Sequence, residues 1–341
     1  MSAPLLPTSV IGSYALPSWL WLAREAMAAG RFGERDISET LEDATRIAIA
    51  DQLEAGIDVV SDGEMRRVNF IQGFYSRIQG LEVLPPARKM GAPHWDTEPP
   101  FRAVERLSAP EGLGIVEDFV LARTLTDRPL KATCPGPLTL SIPIRRGQVY
   151  ASREALLEDL MHIVRAELER LVEAGAELIQ LDEPNFAMRR DDPRAWVELF
   201  NATVEGIQAK IALHICFGNL NNKPFISPRS YAHLFPYVLE ARADQLLLEF
   251  ANRELAELDL WQRFPSDKAL GVGVIDVKAY RIETPDVVAE RLRRALQYVA
   301  PEKLIVVPDC GFWETPRWIA RGKLRAMVEG ARLVRRELQG G

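Results

Sequence analysis

Eight short apolar runs alternate along the chain with longer amphipathic segments, and this alternation constrains the fold more than any other feature. Most of the runs are continuously apolar, as strands covered on both faces are. The predicted strands are Ser9–Ser13, Ile57–Ser61, Leu130–Thr133, Leu178–Asp182, Ile211–Cys216, Gln245–Phe250, Leu270–Ile275 and Leu304–Pro308. Eight strands with intervening helices predict an α/β fold and favour a (β/α)8 barrel, the TIM barrel. A doubly wound open sheet is the alternative.

The segments between the strands carry helical patterns with start and stop signals. The predicted helices are Ser38–Ala55, Ser152–Ala174, Pro228–Ala241, Pro285–Tyr298 and Thr315–Leu338. Ser38 and Ser152 are candidate N-terminal caps, and Gly56 and Gly175 follow the ends of the same two helices. The stretch 72–127 is rich in proline and too irregular for one crossover helix. It is predicted to be an insertion after strand two, acting as a lid, within a single barrel domain that spans residues 1–341.

Charge, hydropathy and cysteine content exclude several classes of partner. Lys and Arg total 42 against 48 Asp and Glu, a net charge of −6, so no broad cationic face for nucleic acid is expected. No targeting segment or long apolar run is found, which predicts a cytoplasmic protein without membrane contact. Three cysteines, Cys134, Cys216 and Cys310, cannot all pair. Reduced thiols that serve a metal fit this number better than a disulfide scaffold.

Distinctive polar side chains occur where the predicted strands end. They are Ser13, Glu64, Asp182, Glu183, His214, Cys216, Glu249, Asp276, Asp309 and Cys310. In a barrel the carboxyl ends of the strands carry the chemistry, whereas the opposite ends serve stability. The sequence therefore predicts one site at the catalytic rim.

Four of these residues suggest a metal site. His214 and Cys216 are two apart on a strand, so both side chains point to the same side. Taken alone, this pair reads more naturally as a buried histidine and a buried thiol. Glu249 and Cys310 at equivalent strand ends reverse that preference, because one nitrogen, two thiolates and one carboxylate suit Zn²⁺. For Glu249 the alternative is an ion pair with a neighbouring lysine or arginine, and Cys134 is taken as structural.

The donor set and the nearby acids indicate what such a site would act on. A zinc with two thiolates and a carboxylate is a weak Lewis acid towards water, yet it can hold an incoming thiol as the reactive thiolate. Glu64 and Asp182 could bind an ammonium group, and Ser13 could donate to a carboxylate, which together would recognise an amino acid. The alternative is that these acids only cap a helix or organise a turn.

Together these segments resemble the catalytic half of the cobalamin-independent methionine synthases and their short, single-barrel relatives. The matching pieces are Ile11-Gly12-Ser13, Asp62-Gly63-Glu64, Gly136-Pro137, Asp182-Glu183-Pro184, His214-x-Cys216, Glu249, Gly273-Val274-x-Asp276 and Pro308-Asp309-Cys310-Gly311. The resemblance implies a zinc held by His214, Cys216, Glu249 and Cys310 that activates homocysteine. It also implies that Ile11, Ser13, Glu64 and Asp182 contact the amino acid.

Two departures leave the alkyl donor open. The full-length enzymes have an additional N-terminal barrel that helps to hold folate, and this chain is too short to include one. Those enzymes also carry a histidine in a DIH-type segment, whereas this chain reads Ile275-Asp276-Val277-Lys278, which makes Asp276 and Lys278 the candidate catalytic residues. Folate, a methylcobamide or an epoxide could each supply the alkyl group, and a methyl-donor protein is a further candidate partner.

The leading hypothesis is a zinc-dependent thiol alkyltransferase that methylates homocysteine. A relative of the epoxyalkane:coenzyme M transferases is the alternative, with Arg66 and Arg67 serving a sulfonate. A lyase of the metal-free porphyrinogen decarboxylase type shares the barrel but would need arginines around an acidic pocket. A non-catalytic barrel, braced by zinc or sensing thiols, is the third class.

Overall fold

A closed ring of parallel strands forms the centre of the molecule. The structure is a computed structural model that describes residues 4–67, 72–85, 100–188, 192–218, 229–264 and 266–340. The strands are β1 Gln79–Val83, β2 Phe101–Ser108, β3 Ala132–Pro135, β4 Ile144–Arg145, β5 Leu178–Asp182, β6 Lys210–Ile215, β7 Gln245–Leu248, β8 Ala269–Ile275 and β9 Leu304–Pro308. Six of them form one parallel sheet in the order β3-β5-β6-β7-β8-β9.

Two short segments join the edges of this six-stranded sheet. Thr8 forms a parallel bridge with Val306 in β9, Ser9 forms one with Val59, and Val60 forms one with Leu130 just before β3. The chain around Ser9 and the chain around Val60 thus occupy the first two of eight strand positions. The predicted (β/α)8 barrel is confirmed, although its first two strands are isolated bridges rather than the full strands that the sequence predicts.

Helices surround the ring, and most of the predicted ones are present. The α-helices are α1 Ser18–Ala28, α2 Glu34–Ala55, α3 Ile115–Arg123, α4 Pro137–Leu140, α5 Arg153–Glu173, α6 Asn185–Met188, α7 Pro193–Val204, α8 Asp259–Arg263, α9 Pro285–Ala295 and α10 Arg317–Gln339. Among the described residues, no helix combines the length and the apolar character that crossing a bilayer requires.

Two helix predictions are wrong in part. Helix α2 begins at Glu34 with Gly33 as its N-cap, so Ser38 lies inside the helix and does not cap it. Residue 228 lies outside the described residues, and between 229 and 241 the structure has only a 3-10 turn, Tyr237–Glu240, instead of the predicted α-helix. Pro236 gives the reason, because a proline inside a helix lacks the N–H donor and its ring clashes with the preceding turn.

The predicted insertion contains regular structure in the part that is described. Strands β1 and β2 pair antiparallel, and β2 also pairs in parallel with the short β4. Helix α3 then leads into β3. Residues 86–99 lie outside the described residues, and the function of a lid stays a prediction.

The apolar core has two parts. The larger part contains most of the buried side chains of the helices and strands. A small separate cluster consists of Ile11, Ala212, Leu247, Ile305 and Val307. Its members come from the first strand position, β6, β7 and β9, as expected for side chains that fill the inside of a barrel. The ring is therefore a packed support for the side chains at its carboxyl end.

Helix α5 offers a direct test of its predicted cap. The Ser152 side chain accepts a hydrogen bond from Ala155 N, at 3.2 Å. Ser152→Ala should lower the free energy of unfolding by about 1 kcal/mol, because one N–H at the helix start loses its partner. Ser38→Ala is the matched control and should raise stability by roughly 0.3 kcal/mol, since alanine favours a helix interior. Urea denaturation measures both, and equal effects would contradict the assignment.

Candidate functional site

The predicted site residues lie at one end of the barrel. Asp182 is the last residue of β5, and its register partner in β6 is His214. Cys216 and Glu249 follow the ends of β6 and β7 directly, and Cys310 follows two residues after β9. Because all these strands are parallel, their carboxyl ends meet at the same rim. The predicted location of the site is thereby supported by the strand positions.

Three of the predicted metal ligands form a compact cluster. The ligand atoms of His214, Cys216 and Cys310 all lie within 4.8 Å of one another, and the two sulfur atoms are 3.5 Å apart. His214 and Cys216 are buried, and Cys310 is partly exposed. This is the arrangement that alternation along β6 and the shared rim predict.

The histidine ring is oriented for metal binding. His214 Nδ1 lies 3.2 Å from the Leu247 carbonyl oxygen, which can only accept, so Nδ1 carries the proton. Nε2 then presents a lone pair, and this buried atom has no hydrogen-bond partner among the described residues. A backbone carbonyl that fixes the far nitrogen is typical of metal-binding histidines. The donor set therefore fits a divalent cation that prefers nitrogen and sulfur.

The two thiols of the cluster differ in their tendency to ionise. A hydrogen bond from Cys216 lowers the pKa of the Cys310 thiol well below its usual value, and the positive charge of Lys278 acts in the same direction. The same hydrogen bond raises the pKa of Cys216 well above its usual value, and burial adds to this effect. One thiolate is thus already favoured before any cation enters.

Glu249 lies beside the cluster but has other partners. Its Oε2 accepts hydrogen bonds from Phe217 N, at 3.0 Å, and from Lys278 Nζ, at 2.6 Å. Its Oε1 is buried without a hydrogen-bond partner among the described residues, and Arg229 Nη1 lies 3.7 Å away. The ion pair that the sequence left open for Glu249 is present. Its role as a fourth metal ligand stays a prediction.

Glu64 provides an acidic group with one unused oxygen. Oε1 accepts from the Thr133 hydroxyl at 2.9 Å and pairs with Arg67 Nη1 at 3.1 Å. Oε2 is buried and has no hydrogen-bond partner in the described part of the chain. The backbone of Glu64 has a φ of 57°, a strained conformation that often marks functional sites. Burial raises the pKa of this carboxyl to about 7; Arg67 opposes the rise and Asp182 adds to it.

The other predicted substrate residues have identifiable contacts. Asp182 Oδ1 accepts from Gln180 Nε2 at 2.7 Å, and burial raises the pKa of Asp182 despite the opposing charge of His214. The Ser13 carbonyl accepts from Phe312 N at 2.7 Å. Ile11 belongs to the apolar cluster inside the barrel.

Gly311 explains how Ser13 comes so near the segment after β9. A β-carbon built at Gly311 would lie only 2.2 Å from Ser13 Oγ. A side chain at position 311 would force Ser13 Oγ to move, and its β-carbon would still lie 3.1 Å from the Ser13 carbonyl oxygen. Glycine therefore favours the close approach of the first strand position to Cys310. Gly311 of the PDCG motif therefore lies between Ser13, a predicted substrate residue, and the cluster of His214, Cys216 and Cys310.

Asp276 organises the turn after β8. Its Oδ1 accepts from Lys278 N at 2.8 Å, and its Oδ2 accepts from Asn252 Nδ2 at 2.9 Å. The Lys278 side chain leaves this turn and reaches Glu249, as described above. The catalytic roles of Asp276 and Lys278 stay predictions.

Sequence reasoning missed Lys131. This fully buried lysine lies one residue before β3 and donates to the Val10 carbonyl. Burial lowers its pKa to about 7, although the charges of Asp182 and Glu64 oppose that shift. A lysine inside an otherwise apolar strand run was a usable signal, since such a side chain is rarely buried without acidic partners.

The barrel and the rim cluster define a class, namely (β/α)8 enzymes with a candidate metal centre of imidazole and thiolates at the carboxyl ends of the strands. Residues 6–333 match the family model described as "Cobalamin-independent synthase, Catalytic domain". A methionine synthase of Saccharolobus islandicus is 38% identical over 338 residues, covering 98% of this chain and 97% of that protein. The chain belongs to the cobalamin-independent methionine synthase family, and it is a methyltransferase.

Other relatives agree with this assignment. A methionine synthase of Sulfurisphaera tokodaii is 35% identical over 337 residues, 98% of this chain and 94% of that protein. The solved B12-independent methionine synthase from Shewanella sp. W3-18-1, in complex with selenomethionine, has a TM-score of 0.85 and 31% identity, covering 99% of this chain and 100% of that one. A putative vitamin-B12 independent methionine synthase from Listeria monocytogenes has a TM-score of 0.73 at 20% identity and supports the fold alone.

Proposed function

We propose that this chain transfers a methyl group to the sulfur of homocysteine and forms methionine at a zinc centre. The observation that carries the proposal is the proximity of His214, Cys216 and Cys310, whose ligand atoms lie within 4.8 Å of one another. The names of the relatives, and the selenomethionine bound to the Shewanella enzyme, support the same substrate class.

His214 Nε2 and the sulfur atoms of Cys216 and Cys310 would hold the metal, with Glu249 Oε1 as the proposed fourth ligand. When bound there, zinc lowers the pKa of a coordinated thiol, so that the thiol is the reactive thiolate near neutral pH. The Leu247 carbonyl keeps the His214 ring in the orientation that directs Nε2 to the site. Two thiolates, an imidazole and a carboxylate favour zinc over harder divalent cations.

The amino acid would be recognised by the acids of the pocket. The unused Oε2 of Glu64 and the carboxylate of Asp182 are suited to an ammonium group, and the Ser13 hydroxyl is suited to a carboxylate. The buried apolar surface near Ile11 would contact the methylene groups. This division between charged and apolar contacts favours a short amino acid with a thiol at its end.

Both arginines that could serve a sulfonate already have partners. Arg66 Nε donates to Asp118 Oδ1 at 2.8 Å. Arg67 pairs with Glu64 at 3.1 Å and donates to the Thr133 carbonyl at 2.8 Å. A sulfonate would have to displace these carboxylates. The contacts therefore favour homocysteine over coenzyme M as the acceptor thiol.

The methyl donor is left open in this proposal, and Asp276 or Lys278 is the proposed source of the proton for the departing group. Folate, a methylcobamide and a protein that delivers the methyl group are the candidates. A cytoplasmic location stays a prediction as well.

The proposal is tested by metal analysis combined with a screen of donors and acceptors. The purified protein should contain about one zinc per chain, release a proton when homocysteine is added, and methylate it from at least one methyl donor. Coenzyme M alkylated by an epoxide would support the alternative transferase. Tight binding of a tetrapyrrole would support the lyase, and thiol binding without turnover would support a sensor. A protein that holds no metal and methylates no thiol would refute the proposal.

The raised pKa of Glu64 predicts a pH dependence for binding of methionine, the product. Methionine carries the ammonium group but no thiol, so its binding reports on the acids alone. Glu64, with a pKa of about 7, keeps its proton at pH 6 and must lose it to pair with an ammonium. The affinity for methionine should therefore be about tenfold weaker at pH 6 than at pH 8. Calorimetry measures the affinity for methionine as a function of pH. The variant Glu64→Gln should bind methionine with nearly the same affinity at both pH values. The same pH dependence in that variant as in the unmodified protein would contradict the assignment.

A further inference from the structure

A buried ion pair adjoins the cluster of His214, Cys216 and Cys310, and proton donation by Lys278 would not explain why this lysine is paired with Glu249. Lys278 Nζ lies 2.6 Å from Glu249 Oε2, and both side chains are buried. The backbone N–H of Phe217 donates to the same oxygen at 3.0 Å. Oε1 is the oxygen without a hydrogen-bond partner among the described residues. The carboxylate is thus fixed through Oε2, whereas Oε1 has only the more distant Arg229 Nη1, at 3.7 Å, and is available to a ligand.

The two groups that fix Oε2 come from opposite sides of Glu249. Phe217 directly follows Cys216 after β6, and Lys278 lies in the turn after β8. That turn is itself fixed, because Asp276 accepts from Lys278 N and from Asn252. The backbone of Lys278 is therefore held by the turn, and its ammonium group is held by the ion pair with Glu249.

We propose that Lys278 is a positioning residue that holds the Glu249 carboxylate by Oε2, so that Glu249 reaches the metal through Oε1 alone and keeps a cationic partner when a substrate sulfur takes that place. The proposal rests on the proposed zinc-dependent thiol methylation and deepens it. Glu249 becomes an exchangeable ligand, whereas His214, Cys216 and Cys310 are the permanent ones.

Charge supplies the physical reason. Two thiolates and one carboxylate around a divalent cation carry one negative charge in excess, and the Lys278 ammonium compensates it inside a buried site. Without Lys278, a carboxylate that left the metal would keep only Arg229, 3.7 Å from Oε1, and a poorly compensated buried anion is strongly unfavourable. Lys278 therefore weakens the hold of Glu249 on the metal and makes its release less costly.

The test measures two affinities in Lys278→Met. Zinc affinity is measured by competition with a chromogenic chelator, and homocysteine affinity of the zinc-loaded protein by calorimetry. Loss of the ammonium should make zinc binding about tenfold tighter, since Lys278 then no longer neutralises the charge that Glu249 offers to the metal. Homocysteine binding should become about tenfold weaker, because the released carboxylate lacks that partner. Lys278→Arg keeps the charge and should restore both. Affinities that stay unchanged, or that move in the same direction, would overturn the proposal.

A second variant separates this role from simple bracing of the fold. Glu249→Gln/Lys278→Met removes both charges and leaves no unpaired carboxylate. If Lys278 acts through Glu249, adding Lys278→Met to Glu249→Gln should change zinc affinity less than twofold. An equal effect in both backgrounds would overturn the proposal. Failure of the unmodified protein to bind homocysteine would refute the proposed function instead, and the zinc measurements would still decide the role of Lys278.

Discussion

Replacing Cys310 by serine is expected to remove both the metal and the methyltransferase activity. Cys310 supplies one of the two sulfur atoms of the cluster, 3.5 Å from that of Cys216, and its thiol is the one with the lowered pKa. A serine hydroxyl stays protonated and is a poor ligand for zinc. Changes outside the ligand sphere already cost 10- to 100-fold in metal affinity, so loss of a thiolate should cost roughly 1000-fold in zinc affinity and in kcat/KM.

The third cysteine offers a matched control. Cys134 is fully buried in β3, and its sulfur lies near the Pro135 carbonyl, away from the cluster. Cys134→Ser should therefore lower thermal stability but leave zinc stoichiometry unchanged. Elemental analysis after dialysis, together with turnover of homocysteine, distinguishes the two variants. A Cys310→Ser protein that keeps one zinc per chain would contradict the assigned ligand set.

The barrel could be predicted where strands are long and continuously apolar. Six of the eight predicted runs are strands of the parallel sheet, because burial on both faces leaves a clear pattern in the sequence. The first two positions are only bridges, and their shortness depends on how β9 and β3 approach them. The turn around Pro236 shows the limit of helical periodicity, since one proline outweighs the apolar spacing around it.

The part of the candidate site that follows from strand geometry could be predicted from the sequence. Alternation along β6 and the shared rim of a barrel bring His214, Cys216 and Cys310 together. The partner of Glu249 could not be predicted, because it depends on the course of the loop after β8 that carries Lys278. Lys131 was missed for a similar reason, as its acidic surroundings come from other strands. Local pattern thus identifies candidate ligands, whereas their charge partners become visible only in the folded chain.

Removing the charge of Glu64 or of Asp182 is expected to impair binding of homocysteine far more than the chemical step. Each carboxylate is proposed to pair with the substrate ammonium, and a hydrogen bond between charged groups contributes about 1.5–3 kcal/mol. Glu64→Gln and Asp182→Asn should therefore each raise the KM for homocysteine roughly 10- to 150-fold. The change in kcat should be much smaller, because the ammonium interaction is the same in the ground state and the transition state.

An analogue of the substrate provides the sharpest control for the expected increase in KM. The analogue 4-mercaptobutanoate keeps the thiol and the carboxylate of homocysteine but has no ammonium group. If Glu64 binds that group through its unused Oε2, Glu64→Gln should leave the KM for the analogue unchanged while the KM for homocysteine rises. A structural defect would raise both values, for example through Arg67, which loses the Glu64 carboxylate 3.1 Å away. Parallel increases for the two thiols would therefore exclude direct recognition and assign Glu64 to the support of the pocket.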